Sequence, residues 1–200
     1  MMRTVIKKLQ HAGYTVVAYD TTDDVFYAGD TSILPRLIDQ IHNDIARSIK
    51  TYSREGRKSF AIFGSSLGSF IAYNCISRLP QLRYGVFNTG GSIAEGMWRL
   101  KKARQRHEAK GVTKQQVIDV WHDLQHPDFS GIAGNSYIFI SSSADTIAPL
   151  ANVDQYLQPM RSCGATVTLT TVRAIGHTSS VLMGLQRSVT LLREAKEQLK

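Results

Sequence analysis

Residues 60–70, FAIFGSSLGSF, contain the stretch of sequence that decides the fold. Four apolar residues run into Gly64, two serines follow, and Gly68 leads into a second apolar run. Glycine is needed where a backbone bends sharply or another segment packs very close. The spacing Gly64-x-Ser66-x-Gly68 predicts a tight turn from a buried strand into a helix, with Ser66 exposed on the turn. A serine in this place can also simply cap the helix, so the motif alone leaves both interpretations open.

Short β-rich runs alternate with longer helical patterns along the chain. The predicted strands are 14–20, 59–64, 84–88, 137–141 and 165–172, and the predicted helices are 3–12, 33–51, 67–79, 153–161 and 179–198. This alternation is typical of βαβ units. The sequence therefore predicts an α/β fold with a mostly parallel sheet of about five strands, flanked by helices.

The segment 92–134 lies between the third and fourth predicted strands and is too long for an ordinary connection. Its pattern predicts two or more helices, and it is the only candidate sub-domain. A chain of 200 residues suits one domain with a full-sized core. We therefore expect residues 1–200 to form a single domain with a helical insertion at about 92–134.

Three reactive residues each follow a predicted strand: Ser66 the second, Asp145 the fourth and His177 the fifth. Sites in open parallel sheets form beyond the carboxyl ends of the strands, so these side chains are expected to meet. A histidine can take the proton of a serine hydroxyl, and a carboxylate on its other nitrogen fixes the tautomer. We predict Ser66 as nucleophile, His177 as base and Asp145 as the orienting acid. The backbone N–H of Leu67 would face the developing oxyanion.

Each of these residues also has an ordinary structural interpretation. Asp145 alone could cap a helix, and His177 alone could be a hydrogen-bonded loop histidine. Asp128 is the rival acid. The remaining histidines lie on or near predicted helices, where surface positions are expected: His11, His42, His107, His122 and His126.

The turn GSSLGS, the acid loop SSSADTIAP and the histidine loop GHTSS together resemble the α/β-hydrolase family over nearly the whole chain. The resemblance implies a Ser66–His177–Asp145 triad and acyl transfer from an ester or similar substrate to water. It also implies that the insertion at 92–134 is a lid over the site.

One part of the family pattern is missing. The family has a further strand before the first helix, which lies in the sheet between the strands corresponding to 14–20 and 59–64. The loop after it often carries a His-Gly motif that supplies a second oxyanion N–H, and no such motif precedes Gly13. We therefore expect an N-terminally incomplete domain. Two alternatives to a working hydrolase stay open: a non-catalytic binding module with the hydrolase fold, and an inactive hydrolase fragment.

Apolar residues recur at roughly helical spacing within the insertion. Met97, Trp98 and Trp121 are candidates to line an acyl pocket above Ser66, because aromatic side chains offer a large apolar contact area. The alternative is that these side chains only pack the insertion onto the sheet.

The net charge of +8 comes largely from two local clusters, at residues 50–58 and 99–110. The second cluster has no interleaved aromatic residues and no nucleic-acid-binding motif, so no nucleic-acid partner is predicted. It is interpreted as a solvated helix face, or as a surface that attracts an anionic substrate.

The remaining sequence features limit location and cofactors. No apolar run approaches the roughly 20 residues of a membrane span, and no signal peptide is apparent. Cys75 and Cys163 lie far apart, which predicts reduced thiols in a cytoplasmic protein. Metal-ligand spacing, a P-loop and G-x-G-x-x-G are all absent from the sequence, so no metal or cofactor is predicted. The expected partner is a small-molecule acyl substrate.

Overall fold

The computed structural model describes residues 2–19, 21 and 24–198, without the side chains of residues 24, 197 and 198. The elements are α1 (Met2–His11), α2 (Asp24–Tyr27), α3 (Ile33–Arg54), β1 (Phe60–Ser65), α4 (Leu67–Arg78), β2 (Leu82–Asn88), α5 (Ile93–Arg99), α6 (Lys101–Glu108), α7 (Lys114–Val120), α8 (His122–Gln125), β3 (Ser136–Ser141), a short 3₁₀-helix (Leu150–Asn152), α9 (Asp154–Ser162), β4 (Thr166–Thr171) and α10 (His177–Gln198). None of the helices in this described part is long and apolar enough to cross a membrane.

The strands form one parallel sheet in the order β1-β2-β3-β4. Ser65 pairs with Asn88, and Asn88 pairs in turn with Ile140 on the next strand. The carboxyl ends of neighbouring strands therefore lie together at one edge. The predicted α/β fold with a parallel sheet is confirmed.

Two apolar layers cover the two faces of the sheet, because successive side chains on a strand point in opposite directions. Val86 on β2 packs with α1 and α10 on one face, whereas the next residue, Phe87, belongs to the larger core on the other. The smaller core contains Val5, Leu9, Tyr84, Val86, Ile140, Leu185, Val189, Leu191, Leu192 and Ala195. The larger core includes α3, α4, α9 and the insertion helices α5 to α8.

Residues 14–19 of the predicted strand 14–20 do not form a strand, so the sheet has four strands among the described residues and not about five. Residues 14–19 are neither helix nor strand and pair with no described strand, and residue 20 lies outside the described part. The Tyr14 hydroxyl donates to the backbone of α10, and the Tyr19 hydroxyl bonds to Ser48 on α3. β-Branched residues favour an extended backbone, but a strand also needs a partner about 4.8 Å away. β1 is accordingly one of the two edge strands of the described sheet, and β4 is the other.

The insertion between β2 and β3 is helical, as the sequence predicts. One of its helices, α7, begins with a capping box: Thr113 Oγ1 accepts from the N–H of Gln116, and the Gln116 side chain accepts from the N–H of Thr113. These bonds satisfy amide groups that a helix start leaves without a partner. The insertion is thus built from short helices, of which α5 and α7 have side-chain N-caps, at Ser92 and Thr113.

Candidate active site

Ser66 occupies the turn between β1 and α4 in a strained conformation. Its φ of 53° and ψ of −120° lie in a region that L-residues rarely adopt. Such a backbone costs roughly 1–3 kcal/mol and persists only where the surroundings enforce it. One enforcing contact is the hydrogen bond from Ser66 N–H to the carbonyl oxygen of Asn88, at 2.9 Å.

The two glycines of the motif have different surroundings. A Cβ on Gly64 would lie 2.1 Å from the carbonyl oxygen of Gly68 and 2.6 Å from the nitrogen of Ser69. A Cβ on Gly68 would meet no heavy atom within 4 Å. Gly64 is therefore required for the close approach of α4 to the end of β1, whereas Gly68 is not required by packing.

The structure brings Ser66, His177 and Asp145 together in one chain of hydrogen bonds. Ser66 Oγ lies 3.0 Å from His177 Nε2. His177 Nδ1 lies 3.0 Å and 2.9 Å from the two carboxylate oxygens of Asp145. A carboxylate accepts only, so Nδ1 donates to Asp145 and Nε2 accepts from the Ser66 hydroxyl.

Asp145 is held from two sides. Its Oδ1 also accepts from the N–H groups of Ile147 and Ala148, each at 2.9 Å, and its side chain is fully buried. Burial raises the pKa of this carboxyl, but the hydrogen bonds from His177, Ala148 and Ile147 outweigh it and bring the pKa below its ordinary value of 3.8. The carboxylate is therefore charged at neutral pH.

The lowered pKa of Asp145 predicts a specific acid sensitivity. A carboxylate with a folded-state pKa below its unfolded value adds stability above about pH 4, and this stability is lost as pH falls through the folded-state pKa. We expect the melting temperature of the wild type to fall more steeply than that of Asp145→Asn between about pH 5 and pH 3. Thermal unfolding followed by circular dichroism measures both. Asp123→Asn, at a fully exposed position, is the control and should keep the wild-type slope; an Asp145→Asn slope as steep as wild type would contradict the prediction.

Leu67 is the first residue of α4 and directly follows Ser66. The first amides of a helix have no acceptor within the helix, and the helix dipole favours negative charge at this end. The N–H of Leu67 is thus available next to Ser66 for an anionic oxygen.

Known structures share this architecture. An esterase from Pyrococcus furiosus matches with a TM-score of 0.62 at 19% identity, over 100% of this chain and 76% of that one. A monoacylglycerol lipase from Paleococcus ferrophilus matches at 0.56 and 14%, over 96% and 88%. An acylaminoacyl peptidase from Pyrococcus horikoshii matches at 0.64 and 14%, over 88% of this chain and 30% of that one. The chain has the α/β-hydrolase fold. No protein-family model and no curated protein sequence matches it.

The rival acid Asp128 and the histidine His107 are not part of the hydrogen-bonded group of Ser66, His177 and Asp145. Asp128 accepts hydrogen bonds from the N–H and hydroxyl of Ser130 in an exposed turn, whereas the carboxylate bonded to His177 is that of Asp145. The surface prediction for His107 is wrong: its side chain is fully buried, with Nδ1 bonded to the carbonyl oxygen of Ala103 one helical turn earlier. His107 faces the core of the insertion because Ala103 does so on the same side of α6.

The candidate pocket residues of the insertion have unequal exposure. Met97 and Trp121 are only 1% and 0% exposed, and the Trp121 indole N–H donates to the carbonyl oxygen of Thr31. This burial matches the packing alternative for both. Trp98 is half-buried beside the larger core, and its place in an acyl pocket stays a prediction. A small cavity next to α4 has a different lining, which includes Ser69, Tyr73, Gly90, Gly91, Phe139 and Tyr156.

The sequence did not point to Asn88, the last residue of β2, or to Thr89, which follows it; both lie beside the Ser66 turn. Asn88 is fully buried, and Thr89 has a φ of 55°, which is unusual for a β-branched residue. One signal was present in the sequence: a polar residue ends the apolar run Val86-Phe87 at the edge of the sheet where the site forms. No motif marks it, so only the structure shows its contacts.

Proposed function

We propose that the chain is a serine hydrolase that cleaves an ester or a related acyl substrate. The observation that supports this most directly is the chain of hydrogen bonds from Ser66 Oγ to His177 Nε2, at 3.0 Å, and from His177 Nδ1 to the Asp145 carboxylate, at 2.9 Å. A serine becomes nucleophilic when a base accepts its proton, and the base is effective when a carboxylate orients it. The arrangement supplies both conditions.

In the proposed reaction, Ser66 Oγ attacks the carbonyl carbon while His177 Nε2 takes the hydroxyl proton. The N–H of Leu67 stabilises the negative oxygen that forms. Asp145 stabilises the imidazolium without itself taking a proton. When the tetrahedral intermediate collapses, His177 gives the proton to the leaving alcohol and Ser66 carries the acyl group.

The second half of the reaction repeats these roles with water. His177 Nε2 takes a proton from the water, whose oxygen attacks the acyl carbon. Collapse of this second intermediate returns the proton to Ser66 Oγ and releases the carboxylic acid. His177 is 23% exposed at its side chain, which gives water access to the base.

The choice of an ester as the substrate rests on the similar solved structures. Two of the three similar structures named above are called an esterase and a monoacylglycerol lipase. The acylaminoacyl peptidase shows the same fold in a protein named for a different acyl substrate. An ester is therefore proposed ahead of an amide, since an alcohol is the easier leaving group.

We also propose that residues 1–200 act as one domain in which 92–134 is a lid. The insertion is joined to the acid loop, because the Arg99 guanidinium donates to the carbonyl oxygen of Thr146 at 3.0 Å. Gly96 also lies against Ile147, which a Cβ at Gly96 would approach to 3.5 Å. Through these contacts α5 touches the acid loop next to Asp145, where we propose that a lid limits the access of bulk water.

A fluorophosphonate probe tests the proposal, because it reacts with a serine only when a base activates it. We expect covalent labelling at Ser66 and none in Ser66→Ala or His177→Ala, as measured by intact mass and peptide mapping. Ser130→Ala is the control, since the Ser130 hydroxyl bonds to Asp128 in an exposed turn; it should still be labelled at Ser66. Labelling that persists in Ser66→Ala, or a wild type that never reacts, would contradict the proposed function.

A further inference from the structure

Asn88 joins the end of β2 to the Ser66 turn through its backbone. Its carbonyl oxygen accepts hydrogen bonds from Ser66 N–H at 2.9 Å and from the hydroxyls of Ser69 and Thr89, each at 2.7 Å. Ser69 Oγ also donates to the carbonyl oxygen of Gly64, so the residues before and after Ser66 are both connected to Asn88 at the end of β2. These bonds hold the strained Ser66 backbone in place.

The side chain of Asn88 joins the same turn to the helix that carries His177. Nδ2 donates to Ser65 Oγ and to the carbonyl oxygen of Val181, each at 2.9 Å. Ser65 directly precedes the proposed nucleophile, and Val181 lies one helical turn after His177 in α10. One buried amide group therefore bridges the two elements that hold the nucleophile and the base.

The packing of α10 fits this bridge. A Cβ on Gly184 would lie 1.7 Å from Asn88 Oδ1, so the helix approaches β2 closely only because position 184 is glycine. Oδ1 itself is buried and has no hydrogen-bond partner among the described residues. Flipping the amide group would exchange the positions of Oδ1 and Nδ2. The oxygen would then face the carbonyl oxygen of Val181, and two acceptors repel each other. The orientation of the side chain is thus fixed by its bonds to Ser65 and Val181.

We propose that Asn88 is a positioning residue that keeps Ser66 Oγ and His177 Nε2 at reacting distance. The inference rests on the proposed hydrolase function. Ser66 and His177 lie on different elements, and their 3.0 Å contact depends on how β1 and α10 sit relative to β2. Asn88 contacts both of these elements. It does not touch the substrate or transfer a proton.

The test compares two buried asparagines that each bridge separate segments. Asn88→Ala should lower the rate of fluorophosphonate labelling and kcat for a p-nitrophenyl ester about 100-fold, with KM little changed, because small displacements of reacting groups are costly. Asn135→Ala is the matched control. Asn135 is also buried, and its Nδ2 donates to the Pro80 carbonyl oxygen and the Tyr137 hydroxyl at the opposite end of the sheet. It should lower the melting temperature but leave kcat within about threefold.

A rescue experiment separates positioning from general destabilisation. Gly184→Ala forces its new methyl group into the Asn88 amide and should slow labelling as Asn88→Ala does. In the double variant the methyl group has room, so the combined loss should be clearly smaller than the product of the two single losses. Independent, multiplicative losses would overturn the proposed bridge. If Asn88→Ala does not fold, Asn88→Ser provides the same comparison, because it also removes the amide group and leaves room for the methyl group of Gly184→Ala.

A crystal structure of the Asn88 variant keeps this inference distinct from the proposed function. We expect the Ser66 Oγ–His177 Nε2 distance to exceed about 3.5 Å, beyond hydrogen-bonding range. This distance can be measured whether or not the wild type hydrolyses esters, whereas failed labelling of the wild type overturns the proposed function alone. An unchanged distance, or wild-type labelling by the Asn88 variant, would overturn the role of Asn88.

Discussion

The Asp145→Asn variant is expected to hydrolyse a p-nitrophenyl ester with kcat lowered about 10⁴-fold. The reason lies in the bonds around the carboxylate. Oδ1 accepts from the N–H groups of Ile147 and Ala148, so an amide at this position keeps its oxygen on that side. Its NH₂ group then faces His177 Nδ1 and donates to it. The imidazole proton moves to Nε2, which can no longer accept the proton of Ser66.

Asp128→Asn is the matched control for this experiment. Its carboxylate accepts hydrogen bonds from Ser130 in an exposed turn, so the substitution should change kcat by less than about twofold. Initial-rate kinetics over a range of ester concentrations separate kcat from KM, and we expect KM to change little in either variant. Equal losses in the two variants, or a full loss only in Asp128→Asn, would show that Asp145 does not orient the base.

The strands of the described sheet could be predicted because their residue types indicate whether each face of the strand is buried. Phe60–Ser65, Leu82–Asn88 and Ser136–Ser141 are apolar runs, which suits strands covered on both faces. Residues 14–19 are rich in β-branched residues, yet they pair with no strand in the described part of the chain. Strand formation depends on a partner, and the sequence of one segment does not contain that information.

The residues of the candidate site could also be predicted only in part. Ser66, Asp145 and His177 could be proposed together because motif spacing and strand order are visible in the sequence, and the structure brings their side chains into contact. The buried position of His107 and the bridge at Asn88 could not be predicted, because both depend on which face of an element meets another element. The catalytic roles themselves stay predictions until they are measured.

The sequence pattern treats Gly64 and Gly68 as equivalent, but the structure predicts opposite outcomes for their replacement. In Gly64→Ala the new methyl group would lie 2.1 Å from the Gly68 carbonyl oxygen and 2.4 Å from its carbon. These are backbone atoms of the first turn of α4, which cannot rotate away as a side chain would. Either the helix separates from β1 or the Ser66 turn changes conformation. We expect Gly64→Ala to lose about 3 kcal/mol or more of stability, together with labelling at Ser66.

Gly68→Ala is the matched substitution in the same turn and is expected to be tolerated. A Cβ at Gly68 has no heavy atom within 4 Å, and its backbone does not have the positive φ that favours glycine. Alanine is also the better helix former by about 0.5–1 kcal/mol, so the melting temperature should stay the same or rise slightly. Urea unfolding and fluorophosphonate labelling of both variants test the contrast. Equal damage at the two positions would mean that the turn needs a small residue at Gly68 for a reason other than packing, such as room for the substrate next to Ser66. Retained labelling in Gly64→Ala would mean that the close approach of α4 to β1 is not what holds Ser66 in place.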